Sequence, residues 1–349
     1  MAYGTINAEQ LTTQSGYTLG AGNASSFKNR IINGAMQIDQ RNAGASVTQT
    51  TDDKYTVDRF YIYGSVTSKF TVQQNAGSVT PPAGFIKYLG ATSSSAYAVG
   101  LSEQFNIQQP IEGLNCTDLA WGTASASSVT LSFWARSSLT GTFGGSLRNS
   151  AANRSYPFSY TISSANTWEQ KSITITGDTS GTWLTTNGVG IYVNFSMGAG
   201  STLSGTAGAW AGTNYTSATG ATSVVGTNGA TFYITGVQLE VGTVATSFDY
   251  RSYGTELALC QRYYEVFYAD SAGEAGFASA WSASYRWIWH MKVQKRATST
   301  FALVGAGNWQ VNTPSVNGGI SSVGAYSAVG NYYLQGGANA IAGAASAEL

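Results

Sequence analysis

The chain has 349 residues, with 17 Lys and Arg against 17 Asp and Glu, so its formal net charge is zero. Charged residues are only 10% of it, which excludes the basic footprint of a nucleic-acid binder and leaves little repulsion to keep copies apart, as suits a chain in an assembly. The 42 glycines against 5 prolines, with 13% aromatics, exclude a disordered chain and point to short strands joined by glycine-rich turns.

Residues 1–27 hold too few apolar side chains to fold alone. They read either as a loose terminus or as an arm ordered by contact with another protein. They have neither a basic start nor an apolar run, so no secretory signal is expected, and no segment approaches the ~20 apolar residues of a membrane span. Residues 28–39 (KNRIINGAMQID) give a strand pattern broken at the turn pair Asn33 and Gly34. Residues 55–63 (YTVDRFYIY) are β-prone, but Val57 and Phe60 are out of step, which predicts a bulge or bend near Asp58. Phe70 and Val72 share a face, and Leu101, Phe105 and Ile107 mark another strand.

Residues 128–136 (SVTLSFWAR) alternate cleanly, with Val129, Leu131 and Phe133 on one side and Thr130, Ser132 and Trp134 on the other. Ile173 and Ile175 repeat the theme. In residues 188–197, Val189, Ile191, Val193, Phe195 and Met197 share one face and Tyr192 and Asn194 the other. Residues 182–184 and 198–224 are polar or Gly/Ser/Thr/Ala-rich loops that carry Trp183, Trp210 and Tyr215. Residues 231–241 (TFYITGVQLEV) read as a buried strand interrupted at Gly236, the mark of a bulge or a close backbone approach. Strands at this spacing predict an all-β protein whose main domain, residues 28–253, is an antiparallel jelly-roll sandwich.

A change of period follows. Leu257, Cys260 and Tyr264 fall three and four apart, with Thr255 placed as an N-cap and Glu256 in the first turn, so a short helical turn links the sandwich to a smaller β domain over residues 254–349. There Tyr285, Trp287, Trp289, Met291 and Val293 share one strand face; Arg286, Ile288, His290 and Lys292 share the other, with residues 297–304 as the partner strand. A domain so small is marginal alone, so Tyr285, Trp287 and Trp289 are candidates for an oligomer interface or core, with a sugar platform as the other reading.

No catalytic pattern emerges. The one histidine, His290, has no G-x-S-x-G elbow to serve, and there is no phosphate-binding glycine loop or acidic calcium loop. Carboxylate pairs such as Glu103 with Glu112 or Asp52 with Asp58 could flank a glycosidic bond, but nothing selects one, so no enzyme is expected. Cys116 and Cys260 read as free buried thiols, a disulfide being the alternative. The better lead is aromatic. Trp183, Trp210 and Tyr215 in polar loops are candidate glycan-binding residues, unless they fold under to cap the sandwich.

Blocks spread over residues 29–349 carry a resemblance: NRIINGAMQIDQRN, YTVDRFYI, SVTLSFWARSS, GVQLEVGTVATSFDYRSYGTELALCQRYYE, MKVQKRATST and the terminal AEL. In order and spacing they resemble a family of bacteriophage virion proteins, tail-fibre-like or head-appendage, with a jelly roll similar to carbohydrate-binding modules and a distal C-terminal β domain. The resemblance implies a homotrimer, attachment to other virion proteins through residues 1–27, and adhesion to host-surface polysaccharide; the alternatives are a purely structural capsid or tail decoration and a polysaccharide depolymerase. It implies location in the virion, no membrane insertion and no cofactor. A structural calcium of such modules would use Asp39, but Gly236 and Gln238 stand where its second acidic ligand is expected.

Overall fold

The computed structural model describes residues 28–268, 279–281, 284–303 and 341–349, with the short stretches 10–12, 18–20, 310–312 and 322–327; side chains are described for 28–266, 291–300 and 344–349. The chain divides into two compact units between Ser252 and Tyr253. Ahead of the first unit's core, β1 (Gln10–Thr12) and β2 (Thr18–Gly20) pair as a hairpin.

The first unit is a sandwich of two six-stranded sheets. Its strands are β3 (Val47–Thr48), β4 (Lys54–Tyr55), β5 (Tyr61–Gly64), β6 (Phe70–Gln74), β7 (Leu89–Ser93), β8 (Gln104–Glu112), β9 (Val129–Ser137), β10 (Gly141–Arg148), β11 (Ser155–Ile162), β12 (Glu169–Ile175), β13 (Val189–Ala199) and β16 (Thr231–Val241). Sheet I runs β11-β10-β13-β8-β5-β4 and sheet II runs β12-β9-β16-β7-β6-β3, each antiparallel throughout. Strands change sheet along the chain in the manner of a jelly roll. Two short strands, β14 (Ser204–Gly205) and β15 (Ser217–Ala218), pair in parallel in the loop after β13.

The alternation seen in the sequence is what fills the core. Val129, Leu131 and Phe133 of β9 meet Ile191, Val193, Phe195 and Met197 of β13 and Phe232, Ile234, Val237 and Leu239 of β16 between the sheets. Phe133 lies edge-on to Phe195 at 5.1 Å and to Tyr160 at 4.9 Å, the arrangement that ring quadrupoles favour. Gly236 is a bulge: its φ is +62°, the register of β16 against β9 shifts between Thr235 and Gln238, and the Phe85 ring sits where a Cβ would go.

Three local expectations are corrected. Residues 28–39 are not a strand; they form a buried segment that turns at the expected pair Asn33 and Gly34 and is tied to β16 by the backbone bonds Arg30 NH to Leu239 O and Val237 NH to Gly34 O, each 2.9 Å, and by side-chain amides. Asn29 accepts from the backbone NH of Ile31 and Leu239 and donates to Val237 O, while Gln109 brackets Ile32 from both sides at 2.9 and 2.8 Å. Residues 55–63 do turn at Asp58 and Arg59, as expected, but the turn, with Arg59 at φ +71°, closes the β4–β5 hairpin instead of bending one strand. Leu101 is 71% exposed and precedes β8, which begins at Gln104.

In the second unit, α1 (Tyr253–Gln261) begins two residues before the expected cap Thr255. It leads into β17 (Tyr264–Tyr268). The further strands are β18 (Ser279–Trp281), β19 (Ser284–His290), β20 (Thr300–Leu303), β21 (Gln310–Asn312), β22 (Ser322–Ser327) and β23 (Ile341–Ser346). Two sheets form, β17-β23-β20 and β18-β19-β22-β21. Residues 297–304 were expected to pair with the Tyr285 strand. Instead β20 pairs with β23, and β19 pairs with β18 and β22. Lys295 and Glu265, both fully buried, form an ion pair here.

Candidate functional site: the outer face of sheet I

Because strand residues alternate between faces, burying Ile62, Ile107, Val193 and Leu147 inward turns their neighbours outward. The register then lines those neighbours up. Tyr55 stands opposite Tyr61, Tyr61 opposite Gln108, Gln108 opposite Asn194, and Asn194 opposite Ser146. With strands about 4.8 Å apart, this row spans roughly 19 Å across five strands. One step along the strands a second row sets Pro110 opposite Tyr192 and Tyr192 opposite Arg148; one step the other way Tyr63 stands opposite Asn106, and Asn106 opposite Ser196. The face is thus aromatic at its β4–β5 end and amide-rich at its centre.

The loop 200–221 covers the β10–β11 end of this face. Ser155 and Ala211 exchange backbone hydrogen bonds at 3.0 and 2.8 Å, Gly208 NH donates to Pro157 O at 2.9 Å, and Asn194 Nδ2 donates to Thr216 O. A Cβ on Gly144 would fall 2.5 Å from Ser217 Oγ, so β10 has glycine where the loop lies closest. The strip of this face beyond the loop edge, over β13, β8, β5 and β4, is a candidate groove: Tyr55, Tyr63 and Tyr192 are half-buried along it, and the guanidinium of Arg41 lies 4.4 Å from the Tyr55 ring centroid.

Arg148 organises the floor. It donates to Gln108 Oε1 at 2.6 Å and to Asn214 Oδ1 of the loop at 2.8 Å, and it lies 5.4 Å from the Tyr192 ring centroid. Burial lowers its pKa from the ordinary arginine value, opposed by Tyr61, Tyr192 and Asp53. Burial likewise pushes the Tyr61 phenol up, with the charge of Asp53 adding to it. Asp53 at the rim, although exposed in area, is crowded enough that its carboxyl is raised, first by desolvation and then by its neighbour Asp52. Three buried polar atoms here, Arg148 Nε, Asn194 Oδ1 and Ser146 Oγ, have no hydrogen-bond partner among the described residues; the same holds for others elsewhere in the sandwich, such as Ser95 Oγ and Ser223 Oγ. Each carries a desolvation cost that a ligand or solvent contact would relieve.

The residues singled out in the sequence lie elsewhere. Trp183 and Trp210 join Trp121 in an edge-to-face trio with ring centroids 4.7, 5.3 and 5.4 Å apart. Trp183 is buried and donates toward Asp178 Oδ2 at 3.3 Å; half-buried Trp210 donates to Thr176 O at 2.7 Å. Arg154 closes the cluster through its ion pair with Asp178. Tyr215 lies against Gly205, beside the Asn214 that meets Arg148. Tyr285, Trp287 and Trp289 are in β19, and their side chains, with that of His290, lie outside the described residues. On the outer face of sheet II, Tyr88, Trp168 and Tyr233 pack on one another.

Three of the acidic side chains weighed in the sequence, Glu103, Asp58 and Asp39, hold backbone or side-chain donors. Glu103 accepts from Gly100 NH and the Tyr97 hydroxyl, Asp58 accepts from Gln40, and Asp39 caps its own loop by accepting from the backbone NH of Asn42 and Gly44. Among the described residues no three His, Cys, Asp or Glu side chains come together as a metal-binding group. Cys116 and Cys260 are both buried thiols, and neither is in a disulfide.

No family model matches the chain, and no curated protein matches it. Among solved structures it is similar to the enzymatically active domain of bacteriophage CBA120 tailspike protein 4, at 13% identity and a TM-score of 0.31, over 62% of this chain and 22% of that one. It is similar to a putative sugar binding protein from Bacteroides thetaiotaomicron, at 12% identity and a TM-score of 0.35, over 61% of this chain and all of that one. The family 11 carbohydrate-binding module of a Clostridium thermocellum cellulase aligns at 12% identity and a TM-score of 0.28, over 58% of this chain and 98% of that one. The chain thus spans about a fifth of the tailspike and nearly the full length of the two smaller proteins. At such identities and scores the likeness is one of sandwich outline.

Proposed function

We propose that the protein is a virion component that binds host-surface glycans along the outer face of sheet I and is held to the particle through residues 1–27. The observation that supports glycan binding is the set of half-buried tyrosines Tyr55, Tyr63 and Tyr192 on this face, with Gln108 and Arg148 in the floor beside them and Asn194 and Ser146 under the covering loop. Sugars present flat CH faces and rims of hydroxyls. Aromatic rings meet the first and amide side chains meet the second, and a groove that runs across strands suits an extended chain. The virion role rests on the sequence blocks that resemble phage appendage proteins. In this reading the homotrimer multiplies weak single-site affinities, since linked sites act at high effective concentration.

The test is a glycan array probed with the intact protein and with Tyr192→Ala and Trp210→Ala. Binding that falls about tenfold or more with Tyr192→Ala, and much less with Trp210→Ala, places the ligand on sheet I. The reverse order moves the site to the tryptophan trio and the loop around Tyr215. A protein that binds no glycan yet incorporates into particles is a structural decoration.

A further inference from the structure

We infer that the groove on sheet I takes a glycan bearing carboxylates, with Arg148 as the seat of the acid group; this rests on the glycan-binding reading above. Arg148 is 8% exposed, and among the described residues its guanidinium meets neutral partners, Gln108 Oε1, Asn214 Oδ1 and the Tyr192 ring, while its Nε has no hydrogen-bond partner. Elsewhere half-buried Arg154 is paired with Asp178 and buried Lys295 with Glu265, while buried Arg59 donates to the Pro110 carbonyl. An enclosed charge without a counter-ion is costly, and folded proteins retain one chiefly where something else supplies the opposite charge.

Among the described residues, Asp53 is the acid whose charge acts on Arg148, and it makes no ion pair with it. A sugar carboxylate supplies the missing countercharge. Its entry point is the Nη1 donor now held by Asn214, because Asn214 belongs to the covering loop and can give way, whereas Gln108 is fixed in β8. The planar fork of arginine suits a carboxylate in two-point contact. Hydroxyls of the same sugar then meet Gln108 and the displaced Asn214, and its ring lies against Tyr192. Asp53 and Asp52 at the rim set the opposing term, since they repel a polyanion.

The experiment is affinity electrophoresis of the full-length protein in native gels containing alginate, polygalacturonate, the carboxyl-reduced forms of both, or dextran sulfate. Retardation by the carboxylated polymers about tenfold stronger than by their reduced forms is expected, a margin set by a charge-assisted hydrogen-bonded pair. Arg148→Gln removes that difference. Asp53→Asn, which leaves the floor intact, strengthens binding to the acidic polymers. Equal retardation by reduced and unreduced polymers overturns the carboxylate assignment and leaves glycan binding standing. Retardation by dextran sulfate equal to that by the carboxylates assigns the seat to sulfate esters and also overturns it. No retardation by any polymer, reduced or not, defeats the groove reading and this inference with it.

Discussion

Arg148 on β10 reaches across β13 to donate to Gln108 Oε1 on β8 at 2.6 Å, so one side chain ties three strands of sheet I to each other and, through Asn214, to the loop above them. A buried cation makes such a tie strong in one direction only: its loss leaves the charge with less than it had. Replacing Gln108 by Met keeps the volume but removes the acceptor. Equilibrium urea unfolding, followed by tryptophan fluorescence, is expected to show the sandwich destabilised by about 1.5–3 kcal/mol, the worth of a hydrogen bond to a charged group. An unchanged midpoint would mean that Arg148 had found another acceptor and that the strand tie is incidental.

The covering loop depends on a glycine in the sheet beneath it. At Gly144 a Cβ would lie 2.5 Å from Ser217 Oγ and 2.8 Å from the backbone N of Ala218. The second of these is backbone and cannot rotate away. Gly144→Val is therefore expected to lift residues 204–218 from β10 and β11 at a cost of about 1–3 kcal/mol. Limited proteolysis reads the displacement: cleavage within residues 200–221 should become fast in the variant while the rest of the sandwich resists. Because the raised loop uncovers Asn194 and Ser146, polysaccharide binding should change in the same variant.

How far the sequence went can be seen at single residues. The alternation that sends Val189, Ile191, Val193 and Phe195 inward and Tyr192 and Asn194 outward is local, and it is legible without a structure. So is the Gly236 bulge, since only a glycine interrupts an otherwise regular strand. The site is not local. Tyr61, Gln108, Asn194 and Ser146 come from four strands that are adjacent in space and remote in the chain, and their alignment is a matter of register, which no single segment encodes. Outward Tyr192 and Asn194 were the one available signal. Trp183 and Trp210 stood out instead because they sit in polar loops, yet their indoles find Asp178 and Thr176 O beside Trp121, which the composition of the loops does not foretell.

Residues 1–27 cannot bury a core of their own, which fits a loose terminus or an arm, and the resemblance to virion appendage proteins implies the arm. If so, the two compact units fold without them. A chain beginning at Lys28 is expected to keep its oligomeric state by light scattering, its unfolding midpoint within the error of the full-length protein, and its polysaccharide binding. It should no longer join particles in a complementation assay. Incorporation at the full-length level would remove the arm from the account, while a loss of folding would show that residues 1–27 stabilise the sandwich.

Alkaline pH offers a test of how tightly the sandwich is closed. The Cys116 thiol is pushed up from 9.0 to about 12, chiefly by burial, with Arg30 pulling the other way. The phenols of Tyr160 and Tyr61 are raised for the same reason. These groups hold their protons in the folded state over a range in which the unfolded chain releases them, so the folded state binds more protons and stability falls as pH rises. The contribution is complete below the unfolded value of 9.0 and is lost progressively toward pH 12. Urea midpoints should therefore be flat from pH 7 to 8.5 and decline steadily above pH 9. In parallel, alkylation of Cys116 mapped by mass spectrometry at pH 8 should be negligible in the native protein and fast in urea. Rapid native-state alkylation would mean that the wall formed by Leu119, Trp121 and Trp183 around the thiol opens readily, and that the tryptophan trio is a mobile cap with its indole faces available to a ligand.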